Sequence, residues 1–314
     1  MKIGIDIMGG DFAPEKTVIG TVKAANELSK DTSLVLFGHK SEIFSQLNKL
    51  DSPPLKEFEI VHCEETITME EHATKAFRSK PESSIAKGFE HLKNGNIDGF
   101  ASAGNTGAIF VGSVYAVKAV PGVLRPPLST LIPRANGGST VLLDVGANVD
   151  CKPDVLYQFG ILGSLFSKHV CGIKNPKVAL LNVGEEKCKG NVISQNTFSL
   201  MENNQDFEFI GNCEGRDIFS SEIDVIVCDG FTGNIVLKEA EGIYEIMKER
   251  NLLDDFFGRL NYEDYGGTPI LGLNKPVIIG HGISNETAIK NMILLTENII
   301  TADLANKIKN NIKS

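Results

Sequence analysis

Short runs of β-branched and other apolar residues alternate with longer amphipathic stretches along nearly the whole chain. The short runs predict strands over residues 2–8, 33–38, 58–63, 98–103, 128–133, 140–146, 177–184, 207–213, 224–229 and 276–280. The longer stretches predict helices over residues 14–29, 41–50, 83–94, 105–120, 153–169, 194–203, 232–251 and 284–310. This alternation is typical of a largely parallel sheet with helices on both faces, so we predict an α/β fold with three layers.

The predicted helix 232–251 shows the helical pattern most regularly. Its apolar residues recur every three or four positions, at Val236, Ala240, Ile243 and Met247. Charged residues occupy the other side of the helix, at Lys238, Glu241, Glu245 and Lys248. The apolar stripe therefore predicts packing against the core of the chain or against a second copy of it.

Two segments interrupt the periodic pattern. The proline-rich passage 121–127 is predicted to be a hinge, because proline disfavours the helical conformation in the residue before it. The segment 252–267 is irregular and contains several aromatic residues. It is predicted to fold back on its own core, and contact with a partner or with lipid is the alternative. With no internal repeat, residues 1–314 are predicted to form a single unit.

The composition narrows the classes of protein. The chain has 314 residues, of which 42% are hydrophobic, and its 31 Lys and Arg against 40 Asp and Glu give a net charge of −9. This apolar content is enough for a sizeable core and argues against a disordered chain. The acidic balance argues against a nucleic-acid-binding protein, whose surface would be basic. An anionic ligand would therefore have to be held by local groups.

The six cysteines, Cys63, Cys151, Cys171, Cys188, Cys213 and Cys228, do not have the spacing of a zinc site. They are predicted to be small buried residues in a reducing compartment. The sequence shows neither the apolar region of a signal peptide at its start nor a run of about 18 apolar residues. We expect a cytoplasmic protein, free in solution or lying against the inner face of the membrane.

Candidate chemistry lies where predicted strands end. Five strands run directly into polar segments that contain glycine, at 8–11, 102–107, 144–148, 229–234 and 280–285. In one parallel sheet all five would lie along the edge where α/β proteins bind ligands. Glycine lets the backbone approach a ligand closely, and the N–H groups at a helix start attract anions. The combination predicts a phosphate or carboxylate site built from backbone amides, although single turns of this kind are common.

Several familiar enzyme motifs are absent from the sequence. There is no G-x-x-x-x-G-K-[ST] for a triphosphate, no G-x-G-x-x-G after the first strand, no G-x-S-x-G and no H-E-x-x-H. A bound inorganic phosphate is itself a nucleophile near neutral pH. It needs only an acyl carbonyl within about 3–3.5 Å and hydrogen-bond donors for the oxyanion. A thioester suits this reaction as the acyl donor, because a thiolate with a pKa near about 8.5 is a good leaving group.

Six motifs resemble those of a known family. They are DIMGGDFAP at 6–14, SAGNTGA at 102–108, LDVGAN at 143–148, GNCEGRD at 211–217, CDGFTGN at 228–234 and GHG at 280–282. In this order they resemble the bacterial phosphate acyltransferases of phospholipid synthesis, from residue 2 to about residue 291.

The resemblance implies both an activity and a fold. The activity is transfer of a long-chain fatty acyl group from acyl carrier protein to inorganic phosphate, which gives acyl phosphate for the membrane glycerol-3-phosphate acyltransferase. The implied fold is similar to the isocitrate/isopropylmalate dehydrogenases, with two lobes around a cleft, in a homodimer. No nicotinamide and no metal is implied, and nucleic acid is not expected as a partner.

The resemblance also implies roles for individual residues. The catalytic residues are expected to be Asn105, Lys189, His281 and Asp229. Lys189 would neutralise the phosphate or the oxyanion, and His281 would protonate the departing thiolate. Substrate binding is expected from Gly9, Gly10, Ser102, Gly104, Thr106, Asn148, Thr232 and Asn234. The carboxylates of Asp6, Asp11 and Asp144 are expected to brace loop amides, since they would repel a phosphate dianion.

Acyl carrier protein is acidic, so a chain of net charge −9 needs a local basic patch to bind it. One candidate patch consists of Lys75, Arg78, Lys80 and Lys87, and an ordinary solvated surface is the alternative. The sequence departs from the family pattern in segment 252–267, where many members have a longer basic and apolar segment. If that segment supports membrane docking in relatives, this chain departs from them there.

Two other functions fit the pattern of residues. The first is an oxidoreductase of the same fold that uses a nicotinamide and a divalent metal, which would require a cluster of aspartates facing an arginine-rich pocket. The second is a phosphate-sensing scaffold that binds acyl carrier protein or the membrane acyltransferase without turnover.

Overall fold

The computed structural model describes residues 1–50 and 57–312. The chain divides into two compact units, and their boundaries fall in loops or between helices. Unit 1 consists of the described parts of Met1–Lys118 together with Tyr262–Thr301. Unit 2 consists of Ala119–Asn261 and the described part of Ala302–Ser314. The first boundary lies just before segment 121–127, whose role as a hinge stays a prediction.

Unit 1 is built on a six-stranded sheet with the order β10-β11-β4-β1-β2-β3. Its strands are β1 (Lys2–Asp6), β2 (Ser33–Gly38), β3 (Glu59–His62), β4 (Gly99–Ser102), β10 (Thr268–Pro269) and β11 (Val277–Ile279). All neighbours are parallel except β10, which pairs antiparallel with β11. The carboxyl ends of β11, β4 and β1 therefore lie side by side at one edge of the sheet.

The helices of unit 1 cover both faces of this sheet. They are α1 (Glu15–Glu27), α2 (Lys40–Leu47), α3 (Ala73–Ser79), α4 (Ser84–Asn94), α5 (Thr106–Gly112), α9 (Tyr262–Tyr265) and α10 (Glu286–Thr301). A Cβ at Gly99 would lie 2.9 Å from Ile300 of α10, whereas the neighbouring Phe100 fills the space beside Gly88 of α4. Successive strand residues point to opposite faces, so α10 and α4 lie on opposite sides of the sheet.

Unit 2 has a five-stranded sheet with the order β5-β6-β9-β7-β8. Its strands are β5 (Ser129–Pro133), β6 (Ser139–Leu143), β7 (Lys177–Leu181), β8 (Glu208–Cys213) and β9 (Val225–Val227). Here β5 is antiparallel to β6 and the other pairs are parallel. The helices of unit 2 are α6 (Pro153–His169), α7 (Val192–Glu202), α8 (Gly230–Glu249) and α11 (Leu304–Asn311).

The cores of both units are close-packed around aromatic side chains. In unit 1 the ring of Phe100 packs against Phe37 and Phe89, and all three side chains are fully buried. In unit 2 the buried Phe159 and Phe166 lie on the inner face of α6. Where α6 crosses the sheet, a Cβ at Gly163 would lie 2.5 Å from Val225, so glycine allows the close approach.

The α/β class is confirmed, and all ten predicted strands are present, β2 with the predicted bounds and the other nine with slightly different bounds. The prediction of one sheet is wrong, because the strands form two sheets in two units. The predicted helix 284–310 is two helices, α10 and α11, and Asp303 between them has a left-handed φ of 52°. The predicted helix 105–120 is α5 followed by a π-helix at Ser113–Val117. The short helices α3 and α9 were not predicted.

Helix α8 buries a slightly different stripe from the one predicted. Ala240 and Tyr244 face the core, whereas Ile243 is 36% exposed. The following segment 252–267 folds back as predicted on part of its length, because Leu260 is buried against Ala240 and Tyr244. None of the helices in the described part of the chain is long and apolar enough to span a membrane.

Candidate functional site

Three predicted segments meet at the carboxyl edge of the unit 1 sheet. Gly9 and Gly10 follow β1, the residues from Ser102 to Thr106 follow β4, and His281 follows β11. These strands are immediate neighbours in the sheet. The backbone of Asp11 donates a hydrogen bond to the carbonyl of Gly282 (2.8 Å), which joins the first loop to the third. We call this set of three loops the unit 1 rim.

A buried carboxylate organises the unit 1 rim. Asp6 is 1% exposed and accepts hydrogen bonds from the Ser102 hydroxyl (2.6 Å) and the backbone N–H of Met8 (3.0 Å). The Ser102 oxygen in turn accepts a bond from the backbone N–H of Gly104 (3.0 Å). Burial raises the pKa of Asp6, and these hydrogen bonds partly offset the effect. The expectation that Asp6 braces loop amides is confirmed.

Glycine is required where the first two loops touch. A Cβ at Gly9 would lie 2.5 Å from the Asp6 carboxylate and 2.6 Å from the backbone nitrogen of Gly104. Gly10 has a φ of 102°, which side-chain-bearing residues rarely adopt. Within the described residues, the N–H groups of Gly10, Thr106 and Gly107 have no acceptor. The rim therefore presents open backbone donors beside a tight contact of two loops.

Asn105 uses its side chain to hold a loop. Its Oδ1 accepts a bond from the backbone N–H of Ala108 (3.0 Å), which caps the start of α5. Its Nδ2 donates to the carbonyls of Thr68, Met69 and Glu71 at 3.0–3.1 Å. Because both amide hydrogens are engaged, the geometry favours a positioning role for Asn105. Its predicted catalytic role stays a prediction.

His281 lies in a tight turn at the third loop. Its Nδ1 accepts a long hydrogen bond from the backbone N–H of Ile283 (3.4 Å), and its ring packs on Tyr262 with centroids 5.0 Å apart. The side chain is half-buried at the rim. These contacts place His281 beside the open donors of the unit 1 rim, and its role as a proton donor stays a prediction.

The remaining predicted residues lie at the carboxyl edge of the unit 2 sheet. Asn148 follows β6, Lys189 follows β7, and Asp229, Thr232 and Asn234 follow β9. The order β6-β9-β7 makes these loops neighbours, and we call them the unit 2 rim. The prediction that all five glycine-containing junctions share one edge is therefore wrong, since two of them belong to a second sheet.

The unit 2 rim is organised by Asp144, which is fully buried. Its carboxylate accepts five hydrogen bonds of 2.6–3.2 Å, from the backbone of Leu128, Gly146, Ala147 and Asn148 and from the side chain of Asn148. The expectation that Asp144 braces loop amides is confirmed. Asn148 also donates to the carbonyl of Pro126 (3.0 Å), so its side-chain donors are engaged within the protein.

The start of α8 packs tightly on the same loop. Asp229 caps α8 by accepting a bond from the backbone N–H of Thr232 (2.7 Å). A Cβ at Gly233 would lie 1.9 Å from the carbonyl oxygen of Asp144, so only glycine fits there. Asn234 donates from its side chain to the carbonyl of Val145 (3.3 Å). These contacts make the start of α8 and the loop after β6 one rigid structure.

Lys189 lies in an exposed loop between β7 and α7. Its backbone carbonyl accepts a bond from the Asn182 side chain (3.2 Å), and its aliphatic stem lies against Gly184. In the described part of the chain, the Lys189 ammonium makes no ion pair. The neighbouring Lys187, by contrast, is paired with Glu202. The exposed cation of Lys189 is therefore free to meet an anion.

Comparison with known proteins assigns the family. The profile described as "Fatty acid synthesis protein" matches residues 1–307. A protein of Halothermothrix orenii named "Phosphate acyltransferase" is 42% identical, covering 99% of this chain and 98% of its own. A protein of Dictyoglomus turgidum with the same name is 41% identical, covering 98% and 96%. The chain belongs to the phosphate acyltransferase family.

Solved structures support the fold of this family member. A phosphotransacetylase from Streptococcus pyogenes superposes with a TM-score of 0.66 at 20% identity, covering 96% of this chain and 94% of its own. A branched-chain phosphotransacylase from Enterococcus faecalis gives a TM-score of 0.63 at 13% identity, covering 96% and 99%. The prediction of an enzyme, an acyltransferase of lipid synthesis, is confirmed at the level of the family.

The cysteines of this phosphate acyltransferase family member are mostly unreactive by environment. Burial raises the pKa values of Cys63, Cys151 and Cys213 to about 12 and that of Cys171 to about 11. The prediction that all six are buried is wrong for Cys188, which is exposed in the Lys189 loop, and Cys171 is only partly buried. Over residues 1–50 and 57–312, no group of three or more His, Cys, Asp or Glu side chains is arranged to hold a metal ion.

Sequence reasoning missed the loop 68–71 and helix α3, which Asn105 ties to the unit 1 rim. Ala73, Ala76 and Phe77 repeat at i, i+3 and i+4, a short helical signal. The signal covers only two turns, which is why it is weak. The contact is nevertheless close, since a Cβ at Gly107 would lie 2.7 Å from the Ala73 side chain.

Proposed function

We propose that this chain transfers a long-chain acyl group from acyl carrier protein to inorganic phosphate, giving acyl phosphate for glycerophospholipid synthesis. The supporting observation is the set of open N–H donors at the unit 1 rim, from Gly10, Thr106 and Gly107. Backbone donors next to a helix start bind phosphate without needing basic side chains. Membership of the phosphate acyltransferase family supports the same assignment.

The reaction needs few groups from the protein. A phosphate oxygen attacks the carbonyl carbon of the thioester, a C–O bond forms, and the C–S bond breaks with the sulfur leaving as a thiolate. Donors near the carbonyl oxygen stabilise the charge that develops there. We propose that Lys189 neutralises phosphate or oxyanion and that His281 protonates the thiolate. The substrate contacts of Ser102, Asn148, Thr232 and Asn234 and the catalytic role of Asp229 stay predictions. The side chains of Ser102, Asn148, Asp229 and Asn234 also bond to the rim loops and so hold them in position.

The direct test supplies palmitoyl-acyl carrier protein and inorganic phosphate to the purified protein and traps acyl phosphate as its hydroxamate. We expect hydroxamate only when both substrates are present. Carrier binding without turnover would instead favour the phosphate-sensing scaffold. Reduction of NAD with a 2-hydroxy acid and Mg²⁺ would favour the oxidoreductase.

A matched pair of variants tests the unit 1 rim. Gly10 and Gly211 have nearly the same left-handed φ, 102° and 104°, so alanine meets the same unfavourable backbone conformation at both positions. Gly211 lies in β8 with no heavy atom near its Cβ position. We expect Gly10→Ala to lower turnover at least tenfold and Gly211→Ala to leave it nearly unchanged. The loss of stability should be larger for Gly10→Ala, whose Cβ would lie 3.1 Å from the carbonyl oxygen of Gly282. Equal activity of the two variants would remove Gly10 from the phosphate site.

The homodimer is a further part of this proposal. Ile235, Ile243 and Ile246 share one face of α8 and are 36–56% exposed. A second copy of the chain would bury this apolar face. We expect Ile246→Asp to give a monomer in light scattering, whereas Lys248→Asp leaves the dimer intact. A monomeric wild-type protein would contradict the proposal.

The remaining finer predictions also belong to the proposal. They are a fold of the isocitrate/isopropylmalate dehydrogenase type, a cytoplasmic location that includes the inner face of the membrane, and the membrane glycerol-3-phosphate acyltransferase as functional partner. Co-sedimentation with vesicles of phosphatidylglycerol and phosphatidylethanolamine tests the membrane contact. Protein that stays entirely in the supernatant would contradict it.

A further inference from the structure

Helix α3 has an inner face and an outer face of different character. The inner face packs on unit 1, where a Cβ at Gly107 would touch Ala73 and one at Gly112 would lie 2.8 Å from Phe77. The outer face carries Lys75 and Arg78, both exposed and one turn apart. Together with His72, Thr74 and Ser79 these two cations line an open groove of about 500 Å³. We call it the α3 groove.

The structure separates the four basic residues of this region into two classes. Lys80 is paired with Glu71 (2.7 Å) and Lys87 with Glu82 (2.6 Å), so their charges are already compensated. Lys75 and Arg78 have no carboxylate partner among residues 1–50 and 57–312. Of these four residues, the two whose positive charge is uncompensated are therefore the two that line the α3 groove.

Arg78 is held in place by a tyrosine. Its guanidinium donates to the Tyr115 hydroxyl (2.7 Å) and lies over the Tyr115 ring, 5.4 Å from the centroid. Tyr115 is itself 57% exposed, and the adjacent Val114 is 44% exposed. An arginine fixed in this way loses less conformational entropy when it binds a carboxylate. The exposed apolar surface beside it suits a protein partner.

Hydrogen bonds and a close packing contact join the α3 groove to the unit 1 rim. Asn105 donates to the carbonyls of Thr68 and Glu71, in the loop that leads into α3. The first residue of α3 also touches Gly107, one residue after the open N–H of Thr106. A partner bound in the groove would thus lie next to the loops that present the backbone donors.

We infer that the α3 groove is the docking surface for the acidic protein that carries the acyl thioester, an inference that rests on the proposed function. A chain of net charge −9 repels an acidic partner at long range, so binding needs uncompensated local cations. Lys75 and Arg78 are such cations, and they line a concave surface. A lipid surface fits less well, because it favours a flat and broadly basic face.

The test compares two acyl donors. Lys75→Glu/Arg78→Glu is expected to raise the KM for palmitoyl-acyl carrier protein at least tenfold and to weaken binding of the unacylated carrier similarly. The KM for the uncharged donor palmitoyl-pantetheine should stay the same as in the wild type, and so should the KM for phosphate. Lys30→Glu is the matched control, because this exposed lysine precedes β2 at the opposite edge of the sheet. This variant should change the KM for neither acyl donor.

Milder variants keep the test independent of folding. Lys75→Gln/Arg78→Gln should raise the same KM severalfold, and Tyr115→Phe should raise it less, since only the hydroxyl is lost. For the wild type, the KM for the carrier should rise with added salt, and this dependence should flatten in the double variants.

Three results would overturn the inference. The first is an unchanged affinity for the carrier in the double variants. The second is an equal loss with palmitoyl-pantetheine, which would indicate damage to the rim. The third is binding of phosphatidylglycerol vesicles that depends on Lys75 and Arg78 while carrier binding does not. If neither donor gives acyl phosphate, the proposed function fails. The affinity of the variants for the carrier still tests whether the α3 groove is its docking surface.

Discussion

The two rims are built on the same plan and differ in what they leave open. Each has three loops after neighbouring parallel strands, a buried carboxylate, and a glycine where two backbones touch. In unit 2, Asp144 takes up the amides of Gly146, Ala147 and Asn148. In unit 1, Asp6 accepts fewer hydrogen bonds, and the backbone N–H groups of Gly10 and Thr106 have no acceptor among the described residues. The loop after β6 therefore has its amides satisfied within the protein, whereas the loops after β1 and β4 keep amides that an anion can reach.

The largest effect is expected for Asp144→Ala. Removing an acceptor of five hydrogen bonds leaves buried N–H groups unsatisfied, so we expect a loss of about 3 kcal/mol or more in the free energy of unfolding. Urea denaturation measures it. Asp229→Ala is the control, because it removes a single helix cap and should cost about 1 kcal/mol. Equal losses would show that Asp144 does not organise its rim.

The asparagines of the two rims give the next contrast. Asn105→Ala loses a helix cap and three bonds to the loop 68–71, so we expect about 2 kcal/mol of lost stability. Turnover should also fall at least tenfold, about 1.4 kcal/mol of barrier. Asn234→Ala loses one bond of 3.3 Å and should cost less than about 1 kcal/mol. If Asn105→Ala changes neither stability nor turnover, the bonds from Asn105 to the loop before α3 do not contribute to the unit 1 rim.

The pH dependence of stability distinguishes Asp6 from other carboxylates. Burial raises its pKa above the ordinary value of 3.8, so the folded state holds a proton that the unfolded state has already released. The stabilising contribution of protonated Asp6 to the free energy of unfolding is therefore complete below about pH 4. It is lost as the pH rises through the raised pKa of the folded state. We expect the stability of the wild type relative to Asp6→Asn to fall with rising pH in this window. Denaturation curves from pH 4 to 8 measure it, and a constant difference would contradict the shift.

The smallest effect on stability is expected for Lys189→Ala. Its ammonium is exposed, so the free energy of unfolding should change by less than about 0.5 kcal/mol. The KM for phosphate should rise severalfold with little change in the KM for the acyl donor. Lys187→Ala, in the same loop but paired with Glu202, is the control and should leave the KM for phosphate unchanged. The opposite ranking of the two lysines would reject the role of Lys189.

The predictability of the fold follows the length and regularity of each element. Long amphipathic helices such as α6 were predicted at their observed bounds, because a repeated pattern averages over exceptions. The two-turn helix α3 offered too few positions for a pattern. The break at Asp303 has no proline or glycine to announce it, and only the left-handed φ of that residue reveals it.

The sequence by itself determined the α/β class, the glycine-containing junctions after the strands and the family. These depend on local pattern and on motif order, which need no coordinates. The tertiary structure decided that the junctions belong to two sheets. It also decided from which groups the Asp6 and Asp144 carboxylates accept hydrogen bonds, and which lysines already form ion pairs. Strand order and hydrogen-bond partners join residues about a hundred positions apart, such as Asp6 and Ser102, and no local pattern encodes such pairings.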